Sequence, residues 1–361
     1  MRIAIYVGHP AQYHFFRQTI AALKSRGHTI KLLAKTKDVL IQLLDFYGEE
    51  YINVLPGGRT DSAWGIVTGL LKREFQLFKH MRNFHPDIVL GTDPALAHVS
   101  RLLHIPCITC LEDDYDVIPQ LAKITYPFTT KIFAPHVCDV GKFTYKKIGY
   151  EGYMKLAYLH PRYFTPKRSI VEEVTSEPFY LIRLSKLKAY HDKGIGGISG
   201  ELLGEIIKKL EQQGKGQIFI SSEGGLAPEY KQYVLNIHPA HIHHFLHFAE
   251  LLISDSQSMS VEAAVLGTPS IRISGFTGRI GVLEELEHRY GLTFGFKPEN
   301  SSLFLQKIDE ILNMNEPAPY WETKRQNMLS EKIDVTALLV ETVVSSYFLR
   351  YRSGKMPEKE T

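Results

Sequence analysis

Three cysteines in 361 residues are too few for a disulfide framework, so the chain reads as a protein of a reducing compartment. No apolar run reaches the length that spans a bilayer, and the opening "MRIAIYVGHP" has the pattern of a strand, not of a signal peptide. Neither sign of charge dominates. The 42 basic and 39 acidic residues leave +3 with no large basic block, which argues against a nucleic-acid partner. Low-complexity segments and short internal repeats are missing too. What is present, 44% apolar and 22% charged residues, is the composition of a globular chain long enough for two domains. The expected location is the cytoplasm.

Apolar runs closed by turn residues alternate with amphipathic stretches, the pattern of βα units and parallel sheets. "IAIYV" (3–7) predicts a buried strand, "QYHFFRQTIAALKSRG" the helix after it, closed by Gly27, and "TIKLLA" (29–34) the next strand. A long helix over 61–84 and strands at "DIVLG", "PCITCL" and "KIFAP" continue the alternation. It breaks over 158–178, where "YLHPRYFTPKRSIVEEVTSEP" holds three prolines and no clean period. It restarts with the strand "PFYLIRL", the helix "ISGELLGEIIKKLEQQG", and strands at "GQIFISS", "AELLISDS" and "TPSIRIS". The expected fold class is α/β: two doubly wound, Rossmann-like parallel-sheet domains, 1–165 and 166–332, facing across a cleft. Residues 333–361 make a C-terminal helix and tail, the helix able to pack back on the first domain. Ligands of such sheets bind at the carboxyl ends of the strands.

One stretch at such an end is "ISDSQSMSVEAAVLGTPSIRI" (253–273). A strand ends near Asp255 and a helix begins near Ser256 to Ser258. Free amides and the positive end of the dipole suit a phosphate there, and Ser256 and Ser258 add hydroxyls. Glu262 lies one turn deeper on the face of Ser258. A lone carboxylate among Val261, Ala263 and Ala264 needs a partner, and a ribose diol would serve. An internal basic residue, Arg272 or Arg279, would serve equally, with Ser256 acting only as a helix cap.

The segment resembles the nucleotide-binding stretch of UDP-N-acetylglucosamine 2-epimerases and related GT-B glycosyltransferases, in which Ser-Asp-Ser-Gly-Gly precedes paired glutamates and Leu-Gly-x-Pro. That match implies a GT-B-like fold, with Ser256, Gln257 and Ser258 at the diphosphate and Glu262 at the ribose. Gln257-Ser258 replace Gly-Gly, Val261 stands for the first glutamate, and the epimerases' second-domain histidine has no counterpart near Ser185. The sequence is also similar, across most of its length, to DUF354, a family described as predicted glycosyltransferases. That similarity is carried by "GHPAQYHFF", "RLSKLKAYHDKG", "ISSEG", "SDSQSMSVEAAVLGTPSIRI" and "LEELEHRYGL".

The same resemblance places the acceptor at "VGHPAQYHFF", where His9 or His14 is the candidate general base, a histidine being suited to take a proton near neutral pH. The alternative is a histidine packed at a helix start. Asp93 in "LGTDPALAH" and Glu112 in "TCLEDDYD" end strands of the first sheet and are spaced like the acids of the 2-epimerases. Asp93 before Pro94 would equally cap a helix. In the second half, Arg183, Ser185 and Lys188 of "RLSKLKAYHDKG" could reach a diphosphate, or form a solvated loop. Ser222 and Glu223 of "ISSEGG" and Arg279 of "SGFTGRIG" are expected to rim the same cleft. "NIHPAHIHHFLHFAEL" offers His238 to a base. His243 and His247, at i, i+4, lack a third metal ligand in sequence, and no metal is expected. Cys107 and Cys110 fall on opposite faces of a strand, which points to a structural role.

The helix at 62–82 mixes apolar residues with Lys72, Arg73, Lys79 and Arg82. It either covers a sheet with one face or lies on the inner face of a membrane. The resulting expectation is a metal-independent glycosyltransferase of polysaccharide biosynthesis without cofactor, using a UDP-linked (amino) sugar as donor and a glycan or lipid-linked acceptor. A UDP-N-acetylglucosamine 2-epimerase-like isomerase and a non-catalytic nucleotide-sugar-binding protein are the alternatives.

Overall fold

Ile3, Ala4, Ile5, Tyr6 and Val7 have no solvent exposure at all, and a strand enclosed on both faces belongs in the middle of a parallel sheet. A computed structural model places it there. It describes residues 1–55, 57, 63–185 and 196–345, and of 63–67 the backbone only. The chain divides into two units, Met1–Tyr158 with the chain from Ile333, and Leu159–Lys332.

The first unit runs β1 (Arg2–Val7), α1 (Pro10–Ser25), β2 (Thr29–Lys35), α2 (Leu40–Phe46), β3 (Tyr51–Leu55), α3 (Ala63–Phe84), β4 (Ile88–Gly91), α4 (Pro94–Leu102), β5 (Cys107–Cys110), α5 (Pro119–Thr125), β6 (Lys131–Pro135), β7 (Lys147–Tyr150) and α6 (Leu156–Leu159). Its seven strands are ordered β3-β2-β1-β4-β5-β6-β7 and all pairings are parallel. Residues of β1, β2 and β4 meet α3 and α4 in a core that includes Tyr6, Leu33, Leu77, Met81, Val89 and Leu96. Cys107 belongs to this core, and both it and Cys110 are buried and free. Burial pushes the Cys107 thiol up to about 11, which suits packing and not redox chemistry.

The second unit runs α7 (Arg168–Glu172), β8 (Phe179–Leu184), α8 (Gly200–Gln213), β9 (Gln217–Ser222), α9 (Ile242–Phe248), β10 (Leu251–Ser254), α10 (Gln257–Leu266), β11 (Ser270–Ile273), α11 (Gly281–His288), β12 (Thr293–Phe296), α12 (Ser301–Leu312) and α13 (Pro317–Glu331). The sheet order is β12-β11-β10-β8-β9, again all parallel. Ile182, Ile206, Ile253, Ile271, Phe304 and Ile308 fill one side of it. Last comes α14 (Val335–Val344), which packs on α1 in the first unit. Arg26 Nη1 reaches Glu341 Oε1 at 2.7 Å, and the Thr336 hydroxyl donates to the Ala157 carbonyl.

In each unit the strand order reverses at one place, between β1 and β4 and between β8 and β10. The connections that leave those strands go opposite ways over the sheet, so a crevice opens at their carboxyl ends.

Candidate functional site

In the second unit the crevice lies at Ser185, after β8, and Asp255, after β10. Asp255 holds both sides of it: Oδ1 accepts the Ser185 amide at 2.6 Å and Oδ2 the Ile198 amide at 3.4 Å. Burial pushes the Asp255 carboxyl up, and those amides oppose the shift. A Cβ on Gly197 would lie 2.5 Å from Asp255 Oδ2, so glycine is what lets the chain come this close. Local spacing does not single out Asp255; its register beside Ser185 exists only in the folded sheet.

Helix α10 starts at this crevice. Ser256 is its cap, the side chain accepting from the Met259 amide, a bond of 3.4 Å. Gln257 Nε2 donates to Ser274 Oγ at 2.6 Å, while its Oε1 is buried with no hydrogen-bond partner among the described residues. Ser258 is partly exposed in the first turn. From Met259 to Leu266 every residue is buried, as expected of a helix that is apolar all round. Glu262 is the one charge in that stretch, with the side chain 11% exposed. His243 Nε2, on α9, lies 3.5 Å from Glu262 Oε1. Arg272, one of the internal partners weighed from the sequence, is fully buried with no hydrogen-bond partner for its guanidinium among the described residues. Gly267 closes the helix in the left-handed region at φ 83°, where glycine carries no steric cost.

Around this core, Arg183 Nη1 donates to Ser221 Oγ at 2.7 Å and Nη2 pairs with Glu223, so Glu223 neutralises the arginine expected at a diphosphate. Ser222 lines a pocket of about 500 Å³ with Ser221, Leu226, Lys231, Val234 and Leu235. His238 caps the short turn at Pro239–His241, its Nδ1 accepting the Ala240 amide at 3.2 Å. Arg279 is exposed beside the Phe276 ring. Lys188 lies outside the described residues. His247 Nδ1 meets the Leu266 carbonyl at 3.1 Å, and among the described residues no group of three or more His, Cys, Asp or Glu could hold a metal ion.

In the first unit the crevice lies at Gly8-His9, after β1, and Thr92-Asp93, after β4. Gln12 joins its two sides, its side chain accepting from the Gly8 amide and donating to Thr92 Oγ1. His9 caps α1, Nδ1 accepting the Ala11 amide at 3.2 Å; its side chain is 46% exposed, with Nε2 3.8 Å from Asp38 Oδ2. His14 is buried and stacked on Tyr158 at 5.3 Å. Asp93 caps α4 through the Ala95 amide and also meets Arg73 Nε at 3.4 Å and Lys35 Nζ at 3.9 Å. Burial first, then the Asp93 charge, pushes the Tyr6 phenol up. Glu112 pairs with Lys155 and accepts the Met154 amide at 2.8 Å. Arg73, Asp38 and Lys155 are brought to these sites by the fold, and local spacing does not point to them.

The sequence model of a family described as protein of unknown function (DUF354) matches residues 1–347. No curated protein matches. Among solved structures, an S. aureus MnaA–UDP complex is similar at a TM-score of 0.67 and 13% identity, covering all of both chains. A UDP-GlcNAc 2-epimerase from Neisseria meningitidis bound to UDP-GlcNAc is similar at 0.67 and 16%, over 95% of this chain and 100% of that one. An Acinetobacter baumannii MurG is similar at 0.55 and 14%, over 95% and 99%. The fold is therefore GT-B-like, with two doubly wound parallel sheets.

Proposed function

The chain belongs to the DUF354 family, and from the sites its fold presents we propose that it is a glycosyltransferase, moving a sugar from a UDP-linked (amino) sugar to a glycan or lipid-linked acceptor. The observation that carries this reading is Glu262, a buried carboxylate one turn inside the N-terminus of α10, with an imidazole as its described ionic neighbour.

In this reading the diphosphate rests on the first amides of α10 with Ser256, Gln257 and Ser258. Glu262 accepts from the ribose diol, and such charge-assisted bonds contribute roughly 1.5–3 kcal/mol each. The helix dipole, Arg279 and Lys188 offset the charge of the departing UDP, so that no metal or cofactor is required. UDP and UDP-GlcNAc in the names of structures with this fold support uridine as the nucleoside.

The first unit supplies the base. His9 is favoured over His14 because it is exposed at the strand-order reversal, whereas His14 is enclosed. With Nε2–H toward Asp38, Nδ1 exchanges the Ala11 amide for the acceptor hydroxyl and takes its proton. The hydroxyl oxygen then forms its bond to the anomeric carbon as the bond to UDP breaks. The carboxylates expected to act in an epimerase, Asp93 and Glu112, are both engaged by cations, which supports transfer over isomerisation.

Thermal melts with a panel of nucleotides test the donor half: UDP and its sugars are expected to raise Tm and other nucleotides not. Release of UDP that depends on added acceptor, lost in His9→Ala while UDP binding persists, tests the transfer. Conversion of UDP-GlcNAc without acceptor would replace this reading by the epimerase. UDP binding with no turnover on any acceptor would leave a binding protein.

A further inference from the structure

The chain as a whole is close to neutral, but three neighbouring helices of the first unit are not. From Thr68 onward, α3, α4 and α5 expose Lys72, Lys79, Arg82, Arg101 and Lys123, and carry one carboxylate, Glu74. That carboxylate is consumed by His98, Oε1 to Nδ1 at 2.6 Å. The same helices expose large apolar side chains: Leu71 at 58% and Phe75 at 66% on α3, Leu102 at 66% on α4, and Ile124 at 45% on α5, with Phe128 at 41% just after it. A soluble surface scatters such residues singly; here they stand on three helices packed in series. Helix α3 packs on α4 and α4 on α5. His98 ties the three together, its Nε2 meeting the Ile124 carbonyl at 2.7 Å and its ring lying 4.5 Å from the Phe128 ring.

We propose that this outer face of α3, α4 and α5 docks on an anionic bilayer surface. The argument is one of charge complementarity. Leucine and phenylalanine enter the boundary between headgroups and chains while flanking lysines and arginines meet anionic headgroups, as amphipathic interfacial helices do. A protein partner fits less well, since stable protein interfaces are depleted in lysine and the face offers a partner no acidic side chain of its own. Among the described residues no helix is long and apolar enough to cross a membrane, so the contact is peripheral. The proposal stands apart from the transfer reading, because none of these residues belongs to either candidate site.

The test is flotation of the full chain with vesicles of phosphatidylcholine, with and without phosphatidylglycerol. Binding is expected on the anionic vesicles, at least tenfold weaker on the neutral ones, and reversed by high salt. Leu71→Ser with Phe75→Ser should weaken it at least tenfold, and Lys72→Gln, Arg101→Gln and Lys123→Gln about fivefold each. Unchanged far-UV dichroism and Tm would show that these variants fold, and Leu303→Ser on the second unit should bind as wild type. Equal binding to neutral and anionic vesicles, no vesicle binding, or a dimer in sedimentation equilibrium that the Leu71/Phe75 variant dissolves would each overturn the proposal.

Discussion

Asp93 and Glu112 in one unit and Glu262 in the other are almost equally enclosed, with side chains 10%, 11% and 11% exposed. Their neighbours differ. Asp93 is met by Arg73 and Lys35, and Glu112 by Lys155 and a backbone amide. Glu262 is met by the His243 imidazole at 3.5 Å. A carboxylate already neutralised by cations is a brace. One beside an imidazole, a turn inside the start of α10, is the acid we propose for the ribose diol. Burial alone does not distinguish these acids; their described ionic partners do.

The largest effect should come from removing a brace. Lys155→Ala leaves Glu112 buried without its cation and is expected to destabilise the protein by about 3–5 kcal/mol, read by urea unfolding. A double change to Lys155→Met with Glu112→Gln should recover most of that. A loss below about 1 kcal/mol for the single change would erase the distinction between the two kinds of acid. Next comes Glu262→Gln, expected to weaken UDP binding by about 1.5–3 kcal/mol in calorimetry, with little change in Tm. The same change costing stability but not affinity would make Glu262 another brace.

Gly197→Ala tests the crevice of the second unit. Its methyl would sit 2.5 Å from Asp255 Oδ2, so Asp255 must release the Ser185 or Ile198 amide. The expected cost is about 1–3 kcal/mol, together with weaker UDP binding. An unchanged UDP affinity would detach that crevice from the donor site.

The smallest effect concerns pH. Burial, then His241, His243, Lys167 and His247, holds the His244 imidazole down to about 4, from an ordinary value of 6.5. The unfolded chain therefore takes up this proton before the folded one does. The stability this residue confers is complete above about pH 6.5 and is lost as pH falls toward 4. His244→Asn, which keeps an acceptor for the Lys167 amide, should flatten that part of a Tm–pH curve. A curve with the same slope would sink the assignment.

How far the sequence reveals this molecule depends on where a residue sits. Central strands such as β1, β4 and β10 announce themselves as continuous apolar runs. The strands not recognised from sequence, β3, β7 and β12, are all edges of their sheets. With one side uncovered they carry few buried positions: three partly exposed residues lead β3, three lead β7 and three end β12. The stretch 158–178, where the alternation breaks, contains α7, a single short turn that three prolines disguise. In the site, the helix start at Ser256 and the position of Glu262 follow from local spacing. The partners do not. Lys155 is 43 residues from Glu112, and His243 reaches Glu262 only because α9 packs on α10. Spacing finds what a helix face brings together, and the sheet decides everything else.

The contact of α14 with α1 carries a consequence for how the molecule is made. The peptide passes from the first unit to the second after Tyr158 and returns at Ile333, so the second is an uninterrupted insertion in the first. A ribosome must finish the whole of the guest before it delivers the helix that packs on α1 in the host. The unit that begins first is thus the one completed last, and a truncated chain ending at Tyr158 would emerge with an open flank.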